Sequence, residues 1–575
     1  MQIGFDDFGK VRANNLNFID KTLFIKEILD NKGIEVSVIT RPRRFGKTFN
    51  LSTLHYFLAV EVNQQKTEKL FDGLKIAAVD NGSYMQYQGK TPVIFVSFKE
   101  AKDKTFAAAI MSLRATIQEL FRNHSYLLLS DKLLQTEKKL FTDYFSDESC
   151  MITDLKTALR FLSELLYKHF SCQPYILIDE YDTPIQSGYL YNYYDEIIDL
   201  MRGMFGAALK TNPYLARAVI TGILRIAKES LFSGVNNLQV YSVLQPEYSQ
   251  HFGFTEEEVN NILKQANLMD KGEDIKKWYN GYVFGGTTVY NPWSIVNCLK
   301  KNGSLQLYWG NTSDNELIKT LITKSSTEFK EQFELLLQDK TISKLIDENM
   351  VFGDLRTNSQ AAWSLLLMSG YLKIVSFILN ERGKTICECA IPNWEVKILY
   401  CDIIESWLGN GHGIEWYQSF LKYLLEGNIE KFIENFGQVL AQTISVHDVA
   451  HNPEAFYHGF MLGLAAGLDL KQYEFKSNRE SGAGRYDIVI IPRDILKPAI
   501  VLEIKSIAPV KLSKRKQEEF LDITLTKEAQ RALEQINRNK YTMELVQRGF
   551  TSIVKIGLAF CGKEFRVASE SSCKQ

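Results

Sequence analysis

The stretch that most constrains this chain is Val36 to Phe49, V-S-V-I-T-R-P-R-R-F-G-K-T-F, where a short apolar strand runs directly into Gly46-Lys47-Thr48 and a helical pattern. A strand, a tight turn and a helix N-terminus together make an anion site, because unpaired backbone N–H groups and the helix dipole both favour negative charge there. In a phosphate-binding loop a Lys reaches the β/γ-phosphates and a Ser or Thr hydroxyl ligates Mg²⁺. Lys47 and Thr48 fit those two roles, and Arg43, Arg44, Phe45 and Gly46 supply the loop. The pattern G-x-x-x-x-G-K-[ST] has glycine where this chain has Arg41, which removes one position of free positive φ. The bland alternative is an ordinary strand-turn-helix; the Leu51, Leu54 and Leu58 spacing after the loop favours the phosphate site.

A second segment supports it. Tyr175-Ile-Leu-Ile-Asp179-Glu180 is an apolar strand ending in two carboxylates, the form of a Walker B segment. Asp179 would hold Mg²⁺, and Glu180 would polarise the attacking water as general base. The strand Ala216 to Gly222 leads to Arg225 and Lys228, where a sensor of the γ-phosphate would sit; Arg225 or Arg44 is the expected sensor. ATP and Mg²⁺ are the expected cofactors.

At 575 residues the chain is too long for a single core and divides into several domains. Its 45% hydrophobic and 23% charged residues read as globular, and a net charge of −1 argues against a wholly basic nucleic-acid binder without excluding a basic groove. The eight cysteines show no C-x-x-C spacing, so a structural zinc site is not expected and the chain reads as reduced. The N-terminus lacks a basic region followed by an apolar stretch, and Trp363 to Leu379 is interrupted by Ser364, Ser369, Gly370 and Lys373. The expectation is a cytoplasmic protein with no membrane partner.

Strand-like runs at Val93 to Phe98, Tyr175 to Ile178 and Ala218 to Ile220 alternate with helical stretches at Phe106 to Phe121 and Asp154 to Phe170, which predicts a parallel sheet covered by helices on both faces. Four regions follow: a P-loop domain over 1–253, a helical and aromatic lid over 254–311, a mostly helical middle region over 312–437, and a distinct α/β domain over 438–575. Trp278 to Tyr282 is expected as buried packing rather than a base-stacking platform. Asp20, Lys21 and Thr22, just before the first strand, permit either adenine-side contacts or capping of the following helix Leu23 to Leu29, and capping is the expected role.

Near the C-terminus, Gly484-Arg-Tyr-Asp487-Ile-Val-Ile-Ile491 and Ala499-Ile-Val-Leu-Glu503-Ile-Lys505 read as a β-hairpin carrying D-x(n)-E-x-K. Side chains alternate along a strand, so Glu503 and Lys505 share a face that Asp487 can meet. Two carboxylates beside an ammonium make the Mg²⁺ site of a metal-dependent nuclease, with Asp487, Glu503 and Lys505 as catalytic groups and Glu454 as a third metal carboxylate. The bare triplet is cheap, since Glu395-Val-Lys397 and Glu474-Phe-Lys476 also satisfy it; the bland reading is a surface ion pair. Gln535, Arg538 and Lys540 on a following helix point to the same end of the sheet. His447, His451 and His458 are not expected to form a zinc cluster, because Pro453 interrupts the helix.

These pieces resemble a bacterial family of AAA-ATPase-like proteins with a C-terminal PD-(D/E)XK nuclease-superfamily domain. The resemblance spans nearly the whole chain and rests on Phe18-Ile-Asp-Lys-Thr22, Arg41 to Thr48, Asp179-Glu-Tyr-Asp182, Thr221 to Ser230, Tyr279-Asn-Gly-Tyr282, Tyr290-Asn-Pro-Trp293, Tyr457-His-Gly459, and Asp487 with Glu503 and Lys505. It implies an N-terminal P-loop NTPase, a helical lid and middle region, and a C-terminal nuclease-like α/β domain. Tyr486 stands where the family carries Pro before the metal Asp. The leading expectation is an ATP-gated nuclease acting on nucleic acid, DNA first, with nucleotide-dependent self-association. The alternative is a nucleotide-switched signalling or scaffold ATPase whose C-terminal domain binds nucleic acid or protein without cutting; a third is an ATPase with a purely structural C-terminal domain.

Overall fold

Five short apolar runs pair into one parallel sheet in the computed structural model of the chain: β1 (Val36–Thr40), β2 (Val93–Ser97), β3 (Tyr175–Asp179), β4 (Arg217–Gly222) and β5 (Leu238–Tyr241), in the order β2-β3-β4-β1-β5. The structure describes residues 5–62, 65–144, 152–210, 212–224, 238–310, 318–319, 321–322, 327–350, 352–356, 359–409, 414–443, 463, 467–469, 472–481, 484–507, 514–538, 542–561 and 564–573. All five residues of β1 are buried, as expected of a parallel strand covered on both faces. Parallel pairing puts the C-terminal ends of the strands on one edge, so Thr40, Ser97, Asp179 and Gly222 come out together. That edge is where open α/β sheets hold their ligands.

The chain divides into two compact units, one built from Met1–Asp314 and Ser343–Val396, the other from Asn315–Ile342 and Lys397–Gln575. In the first unit the helices α1 (Leu23–Asp30) and α2 (Lys47–Leu58) flank β1 in sequence. After the sheet come α3 (Glu256–Gln265), α4 (Gly272–Tyr279), a hairpin of β6 (Tyr282–Phe284) and β7 (Thr287–Val289), and α5 (Pro292–Lys300). Thr255 and Glu258 close a reciprocal capping box at the start of α3. Val259, Leu263, Ile275, Tyr279, Tyr290 and Ile295 form the core of this layer, and Tyr282 is buried as well. The aromatic motifs therefore serve packing.

Residues beyond 342 return to the first unit as a sheet of β8 (Ile342–Ile346), β9 (Lys373–Leu379) and β10 (Thr385–Ala390), ordered β8-β10-β9. The apolar stretch from Trp363 resolves into the end of the helix Ser359–Met368, a turn and β9. Among the described residues no helix is long and apolar enough to cross a membrane.

Glu395 ties this returning segment to the α5 layer. It is fully buried, its Oε1 accepts hydrogen bonds from the backbone N–H groups of Tyr308 and Trp309, both at 2.6 Å, and its Oε2 accepts from Ser294 Oγ at 2.7 Å. Burial outweighs these three donors and pushes the carboxyl up to about 7. The unfolded chain releases that proton at about 4.5, so folding takes up a proton between the two values and stability falls as pH rises from about 4.5 to about 7. A glutamine keeps an oxygen for the two amides and a donor for Ser294 without the charge. Glu395→Gln is expected to raise the stability of the first unit at pH 8 by about 1–3 kcal/mol and to change it little at pH 5, read by denaturant melts at both values.

The second unit carries a sheet of β11 (Tyr473–Ser481), β12 (Gly484–Pro492), β13 (Ala499–Ser506), β14 (Ser552–Cys561) and β15 (Glu564–Cys573) in sequence order, antiparallel except for the parallel pair β13/β14. A parallel pair needs a crossover, and α6 (Lys514–Arg538) supplies it. The helix lies so close to β14 that a Cβ on Gly557 would stand 2.2 Å from Ala529 O and 2.6 Å from Leu533 N. Both obstacles are backbone and cannot rotate aside. Gly557→Ala is expected to cost about 3 kcal/mol of stability, the upper range for overpacking, and to lower the denaturant midpoint of the second unit.

Candidate functional site

The loop Arg41–Gly46 joins β1 to α2 at the C-terminal edge of the parallel sheet. Its two positive-φ residues are Arg44 (+68°) and Gly46 (+86°); Arg41 is not among them. The glycine of the common pattern is thus not required at position 41, and the arginine there has a structural task. Its buried guanidinium donates from Nη1 to the carbonyls of Thr40 (2.8 Å), Tyr241 (2.9 Å) and Ser242 (2.9 Å), and from Nη2 to that of Glu247 (3.0 Å). It also lies 5.4 and 5.3 Å from the Phe252 and Phe284 ring centres. Burial lowers its pKa to about 9. Arg41 pins the chain leaving β5 beneath the loop, where water cannot serve those carbonyls.

Phe45 is buried against Tyr282 and Phe284 at 4.8 and 5.1 Å between ring centres. The β6/β7 hairpin therefore anchors the loop from outside. Arg43 donates from Nη2 to Gln186 Oε1 at 2.7 Å, and the Arg44 guanidinium stacks 4.5 Å over the Trp293 ring. Burial lowers the Arg44 pKa.

Lys47, 3% exposed, points back under the loop, its Nζ 3.2 Å from Arg41 O, 3.1 Å from Pro42 O and 3.4 Å from Glu180 Oε1. Thr48 Oγ1 donates to Asp179 Oδ2 at 2.7 Å, and Thr221 Oγ1 to Asp179 Oδ1 at 2.7 Å. Ser97 Oγ adds a longer bond of 3.4 Å to Oδ2. The fully buried Asp179 is pushed up by burial and by the adjacent Glu180, against the pull of the two threonine hydroxyls and Lys47. Burial acts the same way on Glu180, but Lys47 and Arg43 overcome it and hold this carboxyl below its ordinary range. Glu180 also sits at positive φ (+53°), uncommon for a residue with a Cβ.

The next two residues of the motif lock β3 to β4. Asp182 Oδ2 accepts from the N–H groups of Ile223 (2.8 Å) and Leu224 (3.0 Å), and the buried Tyr181 hydroxyl donates to Leu224 O. Burial, with Glu180 next, pushes Asp182 up to about 6. A Cβ on Gly222 would meet the Tyr181 ring at 2.5 Å, so glycine is needed for this close approach. Arg225 and Lys228 lie just beyond, outside the described residues.

Above the loop opens a cavity of about 660 Å³ whose lining includes Phe18, Lys21, Lys47, Glu180, His251 and Trp293. Lys21 Nζ lies 2.6 Å from both Glu258 Oε2 and Gln250 O. Asp20 Oδ1 accepts from Thr22 N (2.9 Å), at the start of α1, and from Thr22 Oγ1 (2.6 Å), as the expected capping role requires, whereas Thr22 makes no side-chain bond to its own helix. The same two residues also serve the separate helix Lys75–Ala78: Asp20 Oδ2 accepts from Lys75 N (2.7 Å) and Thr22 Oγ1 from Ile76 N (3.1 Å). Ser97, Thr221 and Asp182 were not singled out as site residues by sequence. A hydroxyl at the C-terminal end of each strand flanking β3 was the available signal.

In the second unit Glu503 is buried, and Lys505 Nζ lies 3.1 Å from Glu503 Oε1 and 2.7 Å from Gln535 Oε1 on α6. The β12/β13 register runs over Ile490↔Ile500, Val489↔Val501 and Ile488↔Leu502, and Asp487 and Glu503 are the next residues along their strands beyond its last pair. The backbone of Asp487 is described, its side chain is not; Glu454, His447, His451, His458 and Lys540 lie outside the described residues. The other two E-x-K triplets have different tasks: Glu395 is the buried tie above, whereas Lys476 bridges Glu474 (3.4 Å) and Glu544 (2.6 Å) at the surface.

Comparison with known proteins follows the same layout. Residues 2–232 match the family described as a predicted AAA-ATPase, AAA-ATPase-like, and residues 452–570 match the PD-(D/E)XK nuclease superfamily. The chain carries an AAA-ATPase-like domain followed by a PD-(D/E)XK nuclease-superfamily domain. It is similar to a protein of Azotobacter chroococcum mcd 1 described as an uncharacterized protein in the vnfD 5' region, 24% identical over 507 residues that cover 85% of this chain and 87% of that protein.

Restoring the common loop glycine tests the task of Arg41. Arg41→Gly is expected to destabilise the first unit by about 3 kcal/mol or more, because buried carbonyls lose their donors. Calorimetric melts of the two chains read the loss.

Proposed function

We propose that this chain binds and hydrolyses ATP·Mg²⁺ at the first unit and cleaves nucleic acid, DNA first, at the second, with the nucleotide state gating cleavage. The observation that carries the ATPase half is the convergence of Lys47, Thr48, Asp179 and Glu180 on one edge of a parallel sheet, beneath a cavity of about 660 Å³. Thr48 and Asp179 fit a hard divalent cation: a hydroxyl and a carboxylate oxygen already sit 2.7 Å apart, and such ions take one or two carboxylates besides substrate oxygens. Bound there, Mg²⁺ would draw negative charge off the transferred phosphoryl group.

Lys47 neutralises phosphate charge from beneath the loop. Glu180, kept ionised by Lys47 and Arg43, accepts the proton of the attacking water. Arg44, or Arg225 beyond the described residues, senses the γ-phosphate. In the second unit Asp487 and Glu503, with Glu454, would hold the metal that activates water for phosphodiester cleavage. Lys505, steadied by Glu503 and Gln535, orients that water.

The test is ATP turnover and cleavage of labelled duplex and single-stranded DNA and RNA by the full chain in Mg²⁺ or Mn²⁺, with and without ATP. Lys47→Ala is expected to abolish turnover, Glu180→Gln to lower kcat about 10²–10⁴-fold with ATP still bound, and Lys505→Ala to abolish cutting with the fold intact. Cutting indifferent to ATP and to Lys47→Ala would remove the gating. ATP turnover without cutting under any condition would leave a nucleotide-switched binding protein.

A further inference from the structure

A strained residue of the phosphate loop is held by two tryptophans. Arg44 sits at φ +68°, uncommon for a residue with a Cβ and kept only where the surroundings fix it. Its guanidinium stacks over Trp293, and the carbonyl just before it, Arg43 O, accepts from Trp309 Nε1 at 3.2 Å. Trp309 is fixed in turn: it is buried, its ring packs on Tyr371 at 4.9 Å between centres, and its backbone N–H donates to Glu395 Oε1 at 2.6 Å. Beside it the turn at Gly370 (φ +85°) lies so close to the loop that a Cβ there would stand 2.9 Å from Pro42 Cβ. Arg43 and Arg44 line the cavity and Trp309 does not, so the indole holds the loop from its far side.

We propose that Trp309 is a positioning residue of the nucleotide site, whose indole N–H aims the backbone N–H of Arg44 at a phosphate oxygen. In a planar trans peptide the C=O and the following N–H point in opposite directions. An Arg43 carbonyl drawn to the indole therefore turns the Arg44 N–H toward the cavity. Among the described residues no group accepts the backbone N–H of Arg44, Phe45, Gly46, Lys47 or Thr48. Such a run of N–H groups, at a positive-φ turn and a helix start, forms a concavity for an anion. Freed from Trp309, the peptide between Arg43 and Arg44 relaxes about its strained φ and takes one donor out of that concavity. The inference rests on the ATP reading above and names a residue behind the loop, 266 positions from Arg43.

Two substitutions separate the indole N–H from the indole's bulk. Trp309→Phe keeps an aromatic ring and loses the donor; Trp309→His keeps a ring N–H at the matching position and loses the second ring. Calorimetric titration of each full chain with ATP and Mg²⁺ at pH 8 reads the Kd. Trp309→Phe is expected to raise it about three- to tenfold, the worth of roughly one hydrogen bond, and Trp309→His to stay within about twofold of the unsubstituted chain. Thermal melts without nucleotide are expected to rank the two the other way, with Trp309→His less stable because it leaves the larger cavity. A Trp309→Phe chain that binds ATP as tightly as the unsubstituted one overturns the proposal and leaves the ATP site standing. So does a Trp309→His chain that binds ATP no better than Trp309→Phe. No ATP binding by the unsubstituted chain sinks the ATP reading itself, and the proposal with it.

Discussion

The arrangement of the first unit depends on one buried carboxylate. Asp179 ends the central strand β3, and both its oxygens are taken by hydroxyls from other elements, Thr48 at the start of α2 and Thr221 at the end of β4. An ionised carboxylate in such a place is expensive unless donors and a cation compensate. Two short hydroxyl bonds, the longer one from Ser97 and the nearby Lys47 ammonium provide part of that compensation, and burial with Glu180 still pushes the carboxyl up. The same compensation fixes where α2 begins relative to the sheet, and so where the loop above it lies. Without Asp179 the ends of β2, β3 and β4 would share no common partner.

Charge separates the roles of neighbouring acids. Asp179 and Asp182 are both pushed up by burial, while Glu180 between them is held down by Lys47 and Arg43. Three carboxyls within four residues thus divide into one that joins strands and helix, one kept charged at the cavity, and one that binds the backbone of Ile223 and Leu224. The positive φ of Glu180 belongs to this division, since it turns one residue out of the strand direction toward the loop.

Much of this was legible in residue order. The apolar runs before Lys47 and Asp179 announced parallel strands, and the Lys47-Thr48 and Asp179-Glu180 pairs announced the charges at their ends, because strand periodicity and helix N-terminal chemistry are local properties. Arg41 was not legible: its meaning lies in the carbonyls of Tyr241, Ser242 and Glu247, some 200 positions away, which only folding brings to it. Asp20 and Thr22 were legible only in part for the same reason: the bond from Thr22 N to Asp20 is local, while their bonds to Lys75 N and Ile76 N reach some 55 residues away. The three E-x-K triplets make the point most sharply. Their local patterns are equivalent, yet Glu395 is a buried tie, Glu474 a surface partner, and Glu503 a buried acid beside Lys505 beneath α6.

What the sequence by itself determined is the sheet-forming order of the first unit, the phosphate-loop grammar at Gly46-Lys47-Thr48 and the paired strands that carry Asp487 and Glu503. These follow from periodicity, chain direction and the residue types that parallel strands and helix starts tolerate. Only the tertiary structure decided that position 41 is a buried strut rather than a flexible turn, that Tyr181 and Asp182 clamp β4, that residues 343–396 rejoin the first unit, and that β9 leaves an apolar edge uncovered. The physical reason is the same in each case: burial and hydrogen-bond partners are set by contacts distant in sequence, and a side chain's chemistry has no fixed meaning until those partners are in place.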